Sequence, residues 1–144
     1  DAQGWDTHAG QGAAKGRLAG ALNGLTASLL ALRDALGPAW KDTIVLMVTE
    51  FGRTAHANGT GGTDHGTAST ALVLGGALKP GGIVGDWPTL KQQALYENRD
   101  VTPTLDMRSL FKGVLAEHMG LDRGALDERV FPSSAVARPV TGLV

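Results

Sequence analysis

Residues 43–53 read Thr43-Ile44-Val45-Leu46-Met47-Val48-Thr49-Glu50-Phe51-Gly52-Arg53, an apolar, β-branched run that ends on charge. A strand covered on both faces has this pattern, because neither face needs polar residues. The run predicts a strand over 43–49. Residues 69–75, Ser69-Thr70-Ala71-Leu72-Val73-Leu74-Gly75, predict a second. Upstream, Leu18, Leu22, Leu25, Leu29, Leu32 and Leu36 recur every three or four residues. That spacing predicts a helix over 12–36 whose leucine stripe lies in the core. Gly37-Pro38 ends it, since proline cannot continue a helix. Gly16, Gly20 and Gly24 share one helical face, each at a cost of about 1 kcal/mol relative to alanine, so another backbone is expected to approach there. Helix followed by buried strand predicts an α/β layer architecture. A second amphipathic helix is expected over 105–119, with Thr104 or Asp106 as N-cap and Gly120 after its end. A short helix is expected over 122–129.

The 144 residues correspond to about one domain, and residues 1–144 are read as a single one. A hydrophobic fraction of 42% suffices for a core, and 19% charged residues are too few for a disordered chain. The net charge of -1 argues against a nucleic-acid-binding surface. With Cys 0, disulfides, thiolate metal sites and a cysteine nucleophile are excluded. No apolar run is long enough to span a membrane. The 21 glycines are about twice the roughly 7% average usage and cluster at 10–24, 52–66 and 75–85. The last two clusters read as loops.

Three clusters carry chemistry. Asp6 and His8 stand two apart, so in extended backbone both point to one side. Glu50 follows the predicted strand, where ligands of open α/β sheets bind. Asp64-His65-Gly66 lies in a glycine-rich loop that can fold tightly. Each residue also has an ordinary reading. Asp6 can cap a turn, Glu50 can pair with Arg53, and Asp64 is a common turn residue. Their co-occurrence in loops is what points to a site. Oxygen and nitrogen ligands without sulfur suit a divalent metal, Zn²⁺, Mn²⁺, Fe or Mg²⁺, without choosing among them. Arg53 offers a planar cation for phosphate, sulfate or carboxylate. Trp5, Trp40 and Trp87 are expected to be packing anchors, and His118 a structural residue at a helix C-terminus.

Taken together, Gly4-Trp5-Asp6-Thr7-His8, Val48-Thr49-Glu50-Phe51-Gly52-Arg53-Thr54, Asn58-Gly59, Gly61-Gly62-Thr63-Asp64-His65-Gly66, residues 102–108 and Val130-Phe131-Pro132 resemble the DUF1501 family of bacterial proteins. That family is similar to the alkaline phosphatase and sulfatase superfamily. The resemblance implies a three-layer α/β/α fold with a mostly parallel sheet, of which this chain would be the C-terminal portion, a partial domain. It implies that Asp6, His8, Glu50 and His65 bind metal, with Asp64 as ligand or orienter, and that Arg53 contacts the substrate anion. Phe51 stands where the superfamily often has a histidine, and the Asp-x-His spacing is tighter than the phosphatases' Asp-x-x-x-His. The superfamily's nucleophile lies in an N-terminal half that has no matching segment here, so no catalytic residue is assigned and the chain alone is expected to be inactive.

The implied function is metal-dependent hydrolysis of a phosphate or sulfate ester. The alternatives are a non-catalytic metal- or anion-binding module and a phosphate-transferring mutase. The implied partners are a small anionic ester, the N-terminal half of the same protein, and a second copy through an exposed sheet edge. The implied location is the periplasm.

Overall fold

The computed structural model describes residues 2–79 and 81–144. They form two compact units. The first is made of Asp1–Ala39, Met47–Leu72 and Pro88–Pro103, the second of Trp40–Leu46, Val73–Trp87 and Thr104–Val144.

Helix α1 (Arg17–Leu36) belongs to the first unit. It starts five residues later than the leucine spacing predicts. Gly12 (φ 73°) and Gly16 (φ 109°) both adopt positive φ, which no α-helical turn accommodates. Gly37 (φ 52°) ends the helix, as expected from Gly37-Pro38. The leucine stripe does not lie in a core. Among the described residues α1 has none that is buried; Leu18, Leu25, Leu29 and Leu36 are half-buried, and Leu22 and Leu32 are exposed. The backbone approach expected at the glycines occurs at Gly16, where the Gln11–Gly12 backbone lies 3.2–3.6 Å from where a β-carbon would sit, but nothing lies within 4 Å of that place on Gly20 or Gly24. Ala2, Gln3 and Trp5 line a small cavity together with Ala21, Gly24, Leu25 and Ser28 of α1. The same unit holds β2 (Gly52–Arg53) and β3 (His65–Gly66), paired antiparallel with Gly52 opposite Gly66 and Arg53 opposite His65. Asp100, 3% exposed, is satisfied by Arg99 and by the Thr67 hydroxyl at 2.8 Å.

β1 (Val45–Met47) pairs with β4 (Leu72–Leu74), each strand shorter than its apolar run; Val45, Leu46, Val73 and Leu74 belong to the second unit, as do the elements that follow. Helix α2 (Met107–Met119) begins where the Asp106 carboxylate accepts the Arg108 N–H at 2.9 Å. It ends at Gly120 (φ 68°), with Gly120 N–H donating to Ala116 and Leu121 N–H to Leu115. A short α3 (Arg123–Ala125) runs into a wider turn over Leu126–Val130. Leu110, Leu126 and Ala137 are buried together with the stem of Lys112, and Phe111 stacks on Phe131 with centroids 6.0 Å apart. Lys112 is fully buried because its ammonium has two partners, the Asp127 carboxylate and the Ser134 carbonyl at 2.7 Å. The Glu117 carboxylate accepts three backbone N–H groups, from Gly142 at 2.5 Å, Leu143 at 2.7 Å and Val144 at 2.9 Å, and so ties down the end of the chain.

The three-layer α/β/α expectation is overturned. Among the described residues there are two two-stranded sheets, and β2–β3 is antiparallel. A parallel sheet requires helices on both faces. Here residues 48–71, between β1 and β4, form no helix, and apart from the two-residue strands β2 and β3 they are spent on loops. The strands are consequently half-buried or exposed rather than enclosed. Trp87 is 63% exposed and anchors no packing, whereas Trp5 and Trp40 are half-buried. No helix is long and apolar enough to cross a membrane.

Lys112→Ala is expected to destabilise the protein by roughly 2–5 kcal/mol, the usual range for emptying a long buried side chain, while Lys112→Met keeps the volume and costs less. Denaturant midpoints of the two variants check the order. The Glu117 carboxyl is held below the usual glutamate range by the N–H groups of Val144, Gly142 and Leu143. Its folded value is depressed, so the clamp contributes stability above the ordinary glutamate range and loses it as pH falls through the lowered value. Amide resonances of Gly142, Leu143 and Val144 should therefore shift together in acid, and Glu117→Gln should abolish that shared transition.

Candidate metal centre

The site is built where residues 7–11 lie along residues 60–63. Ala9 bridges Gly61, Gly10 N–H donates to Thr60, Gln11 N–H to Gly61 at 2.9 Å, and Thr63 N–H to Thr7. Asn58 locks this pairing. Its amide donates to the His8 carbonyl and to the Asp64 carboxylate, both at 2.9 Å. Its oxygen accepts from Thr60 N–H at 3.1 Å and Gly62 N–H at 3.0 Å. Glycine is required at position 62, because a β-carbon there would collide with the His8 carbonyl. The chain turns tightly at Asp6, with Thr7 N–H donating to the Trp5 carbonyl at 3.0 Å, and this puts the Asp6 and His8 side chains within reach of each other, while β3 brings His65 to meet them.

Three ligand atoms converge. His8 Nε2 lies 2.9 Å from Asp6 Oδ1, His65 Nε2 lies 3.0 Å from the same oxygen, and the two Nε2 atoms are 3.2 Å apart. Each of these atoms presents a lone pair when both imidazoles carry their proton on Nδ1 and the carboxylate is ionised. Three lone pairs this close repel unless positive charge lies among them. Zinc bonds of about 2.0–2.2 Å in a tetrahedron place neighbouring ligand atoms about 3.3–3.6 Å apart, so the three atoms need to spread by only a few tenths of an ångström to take such an ion. The side chains of Asp6, His8 and His65 are about half exposed, at 54%, 48% and 51%, so a further position faces solvent.

Asp64 stands behind this triangle. Its Oδ1 is 3.1 Å from His8 Nδ1, which puts the ring proton on Nδ1 and leaves Nε2 as the ligating atom. The Asn58 amide, and after it His8, hold the Asp64 carboxyl below its usual range. Asp6 is held low chiefly by Arg53, with His65 and His8 adding to it against desolvation. Arg53, opposite His65 in the β2–β3 pair, donates from Nη1 to Asp6 Oδ1, from Nη2 to the Thr63 carbonyl, and from Nε to Thr63 Oγ1 at 3.0 Å. Its guanidinium faces a site carboxylate rather than open space. Phe51, the departure from the expected histidine, stacks on His65 with centroids 4.0 Å apart and 22° between planes. It orients the ring without offering a ligand atom.

Of the residues singled out in the sequence, Asp6, His8 and His65 come together, with Asp64 and Arg53 each bonded to one of them. Glu50 is exposed, is not one of the converging groups, and has no hydrogen bond or ion pair among the described residues. Sequence reasoning missed the parts played by Asn58, Thr63 and Phe51. The Asn58-Gly59 pair was a signal for the turn, since asparagine commonly bonds its own backbone there. Nothing in sequence marked the Asn58 reach to His8, fifty residues away.

Comparison with known proteins gives one result for this chain. Residues 1–130 match the family described as "Protein of unknown function (DUF1501)". No curated protein and no solved structure matches. The match spans most of the chain and includes every residue of the Asp6, His8 and His65 cluster, so the chain belongs to the DUF1501 family.

Proposed function

We propose that Asp6, His8 and His65 hold one divalent metal ion, and that this centre serves metal-dependent hydrolysis of a phosphate or sulfate ester. The observation that carries the reading is the convergence of three ligand atoms, 2.9–3.2 Å apart, from segments more than fifty residues apart. Two imidazoles and one carboxylate favour Zn²⁺ or Fe²⁺ over Mg²⁺, which prefers oxygen alone. Three protein ligands with an open side are the pattern of catalytic rather than structural zinc sites. A divalent ion there supplies Lewis acidity toward an ester oxygen and acidifies bound water. The chain's own part is positional: Asp64 fixes the His8 tautomer, Phe51 fixes the His65 ring, and Arg53 pairs with Asp6. The likeness of these motifs to the phosphatase and sulfatase superfamily supports the ester substrate. A non-catalytic metal-binding module is the second reading. It is favoured by the engagement of Arg53 with Asp6 and Thr63, which leaves no guanidinium aimed outward.

Zn²⁺ titration by calorimetry, with elemental analysis, should give about one equivalent in the wild type and none in His65→Ala. A wild type that binds no Zn²⁺, Fe²⁺ or Mn²⁺ refutes the centre. Turnover of aryl phosphate or aryl sulfate esters, lost with chelator and restored by metal, supports hydrolysis. Stoichiometric metal with no turnover of either, by this chain or by any longer form of the protein, supports the binding module.

Close approach at position 62 gives a sharper check on the geometry. Gly62→Ala should weaken Zn²⁺ binding roughly tenfold or more, the scale of a displaced ligand support. Gly59→Ala, where a β-carbon meets nothing within 4 Å, should leave it unchanged.

A further inference from the structure

We propose that Arg53 is an exchangeable counter-ion: it competes with the divalent ion for Asp6 Oδ1, and the guanidinium so released binds an anion, so that metal and anion bind with positive coupling. The inference rests on the metal-centre reading above and adds a regulatory step to it.

The geometry points to competition. Asp6 Oδ1 is the contact of Arg53 Nη1, His65 Nε2 and His8 Nε2 together, whereas Asp6 Oδ2 has no hydrogen bond among the described residues. A carboxylate oxygen has about two lone-pair directions, so this one is already oversubscribed. The atom that Arg53 holds is the atom a metal needs. A guanidinium and a divalent ion on one oxygen repel each other, and that repulsion falls if an anion bridges them.

Arg53 need not swing away to change partners. Its Nε and Nη2 are anchored on Thr63, and Thr63 Oγ1 is in turn fixed by Gln11 at 2.7 Å. Only Nη1 faces Asp6. When Asp6 turns to the ion, Nη1 stays beside the site with its protons unpaired, and an unpaired donor there favours an acceptor anion. The charge of the site reverses at the same step. With neutral imidazoles, Asp6, Asp64 and Arg53 sum to one negative charge, and a divalent ion makes it one positive charge. The metal-free site repels an anion and the metal-loaded site attracts it.

The test uses Zn²⁺ and inorganic sulfate as probes, by calorimetry at fixed ionic strength, on the wild type, Arg53→Met and Arg53→Lys. Wild type should bind sulfate at least fivefold more tightly with Zn²⁺ present, and Zn²⁺ more tightly by the same factor with sulfate present. Arg53→Met should bind Zn²⁺ as tightly as wild type or more so, because a competing cation is gone, and should lose the coupling. Arg53→Lys keeps the charge without the fork and should retain part of it. Weaker Zn²⁺ binding in a folded Arg53→Met overturns the proposal and makes Arg53 a holder of Asp6. Full coupling in Arg53→Met also overturns it, because the anion then sits on the metal alone. If Arg53→Met fails to fold, Arg53→Lys decides: coupling equal to wild type or none at all refutes the role of the guanidinium. Zn²⁺ binding by wild type with unchanged sulfate affinity sinks this proposal and leaves the metal centre standing. Absence of Zn²⁺ binding by wild type sinks both.

Discussion

The side-chain amide of Asn58 is the constraint on which the candidate site depends. It bonds at once to the backbone that carries His8 and to the carboxylate that orients the His8 ring. Each bond alone is worth about 1 kcal/mol net, a small return against the entropy of ordering two loops. The return grows because the groups are shared. The same asparagine also closes the turn through Thr60 and Gly62, and Gly62 is the position where the His8 backbone passes too close for any other residue. Ordering the turn therefore orders the second segment as well.

This economy matters because little apolar burial supports the site. Among the described residues of the first unit, Leu95 is the only large hydrophobic that is buried. Helix α1 has a leucine stripe but no buried side chain. Polar networks with every buried group satisfied take the place of a core there: Asp100 with Arg99 and Thr67, Arg53 with Asp6 and Thr63. No buried side-chain polar atom among the described residues lacks a partner. Such networks specify geometry more than they add stability, since a charge left without its partner is costly. A site held this way is positioned to within hydrogen-bond tolerances although its residues are half exposed.

Local chemistry was legible in the sequence, and long-range consequence was not. The Asp106 cap and Gly120 stop bound α2 because both act within a turn of their own residue. Asp6 and His8 do meet, but through a tight turn at Asp6 rather than the strand alternation their spacing suggested. The leucine stripe located α1 but misjudged its surroundings. Periodicity reports which face is apolar, not whether anything covers it. The runs at 43–49 and 69–75 failed for the same reason. Each formed a three-residue strand, and the multi-stranded parallel sheet that would have covered both faces is not formed. Glu50 was placed at a site by analogy with the end of a sheet strand, and without that sheet the analogy has no geometric basis.

Phe51, where the resemblance led to the expectation of a histidine, changes the parts available to the candidate site. A histidine there would add a ligand and a second titrating ring against His65. Phenylalanine adds a rigid face that stacks at 4.0 Å and limits the His65 ring to few orientations. The centre thus has fewer ligand atoms and better-defined ones. With one ring fixed by an aromatic face and the other by the Asp64 carboxylate, the remaining freedom lies with Asp6. Asp6 is also where Arg53 acts. The ligand whose orientation no other ring or carboxylate fixes from behind is the one that carries the counter-charge, which is the arrangement a site needs if its charge is to change without its frame moving.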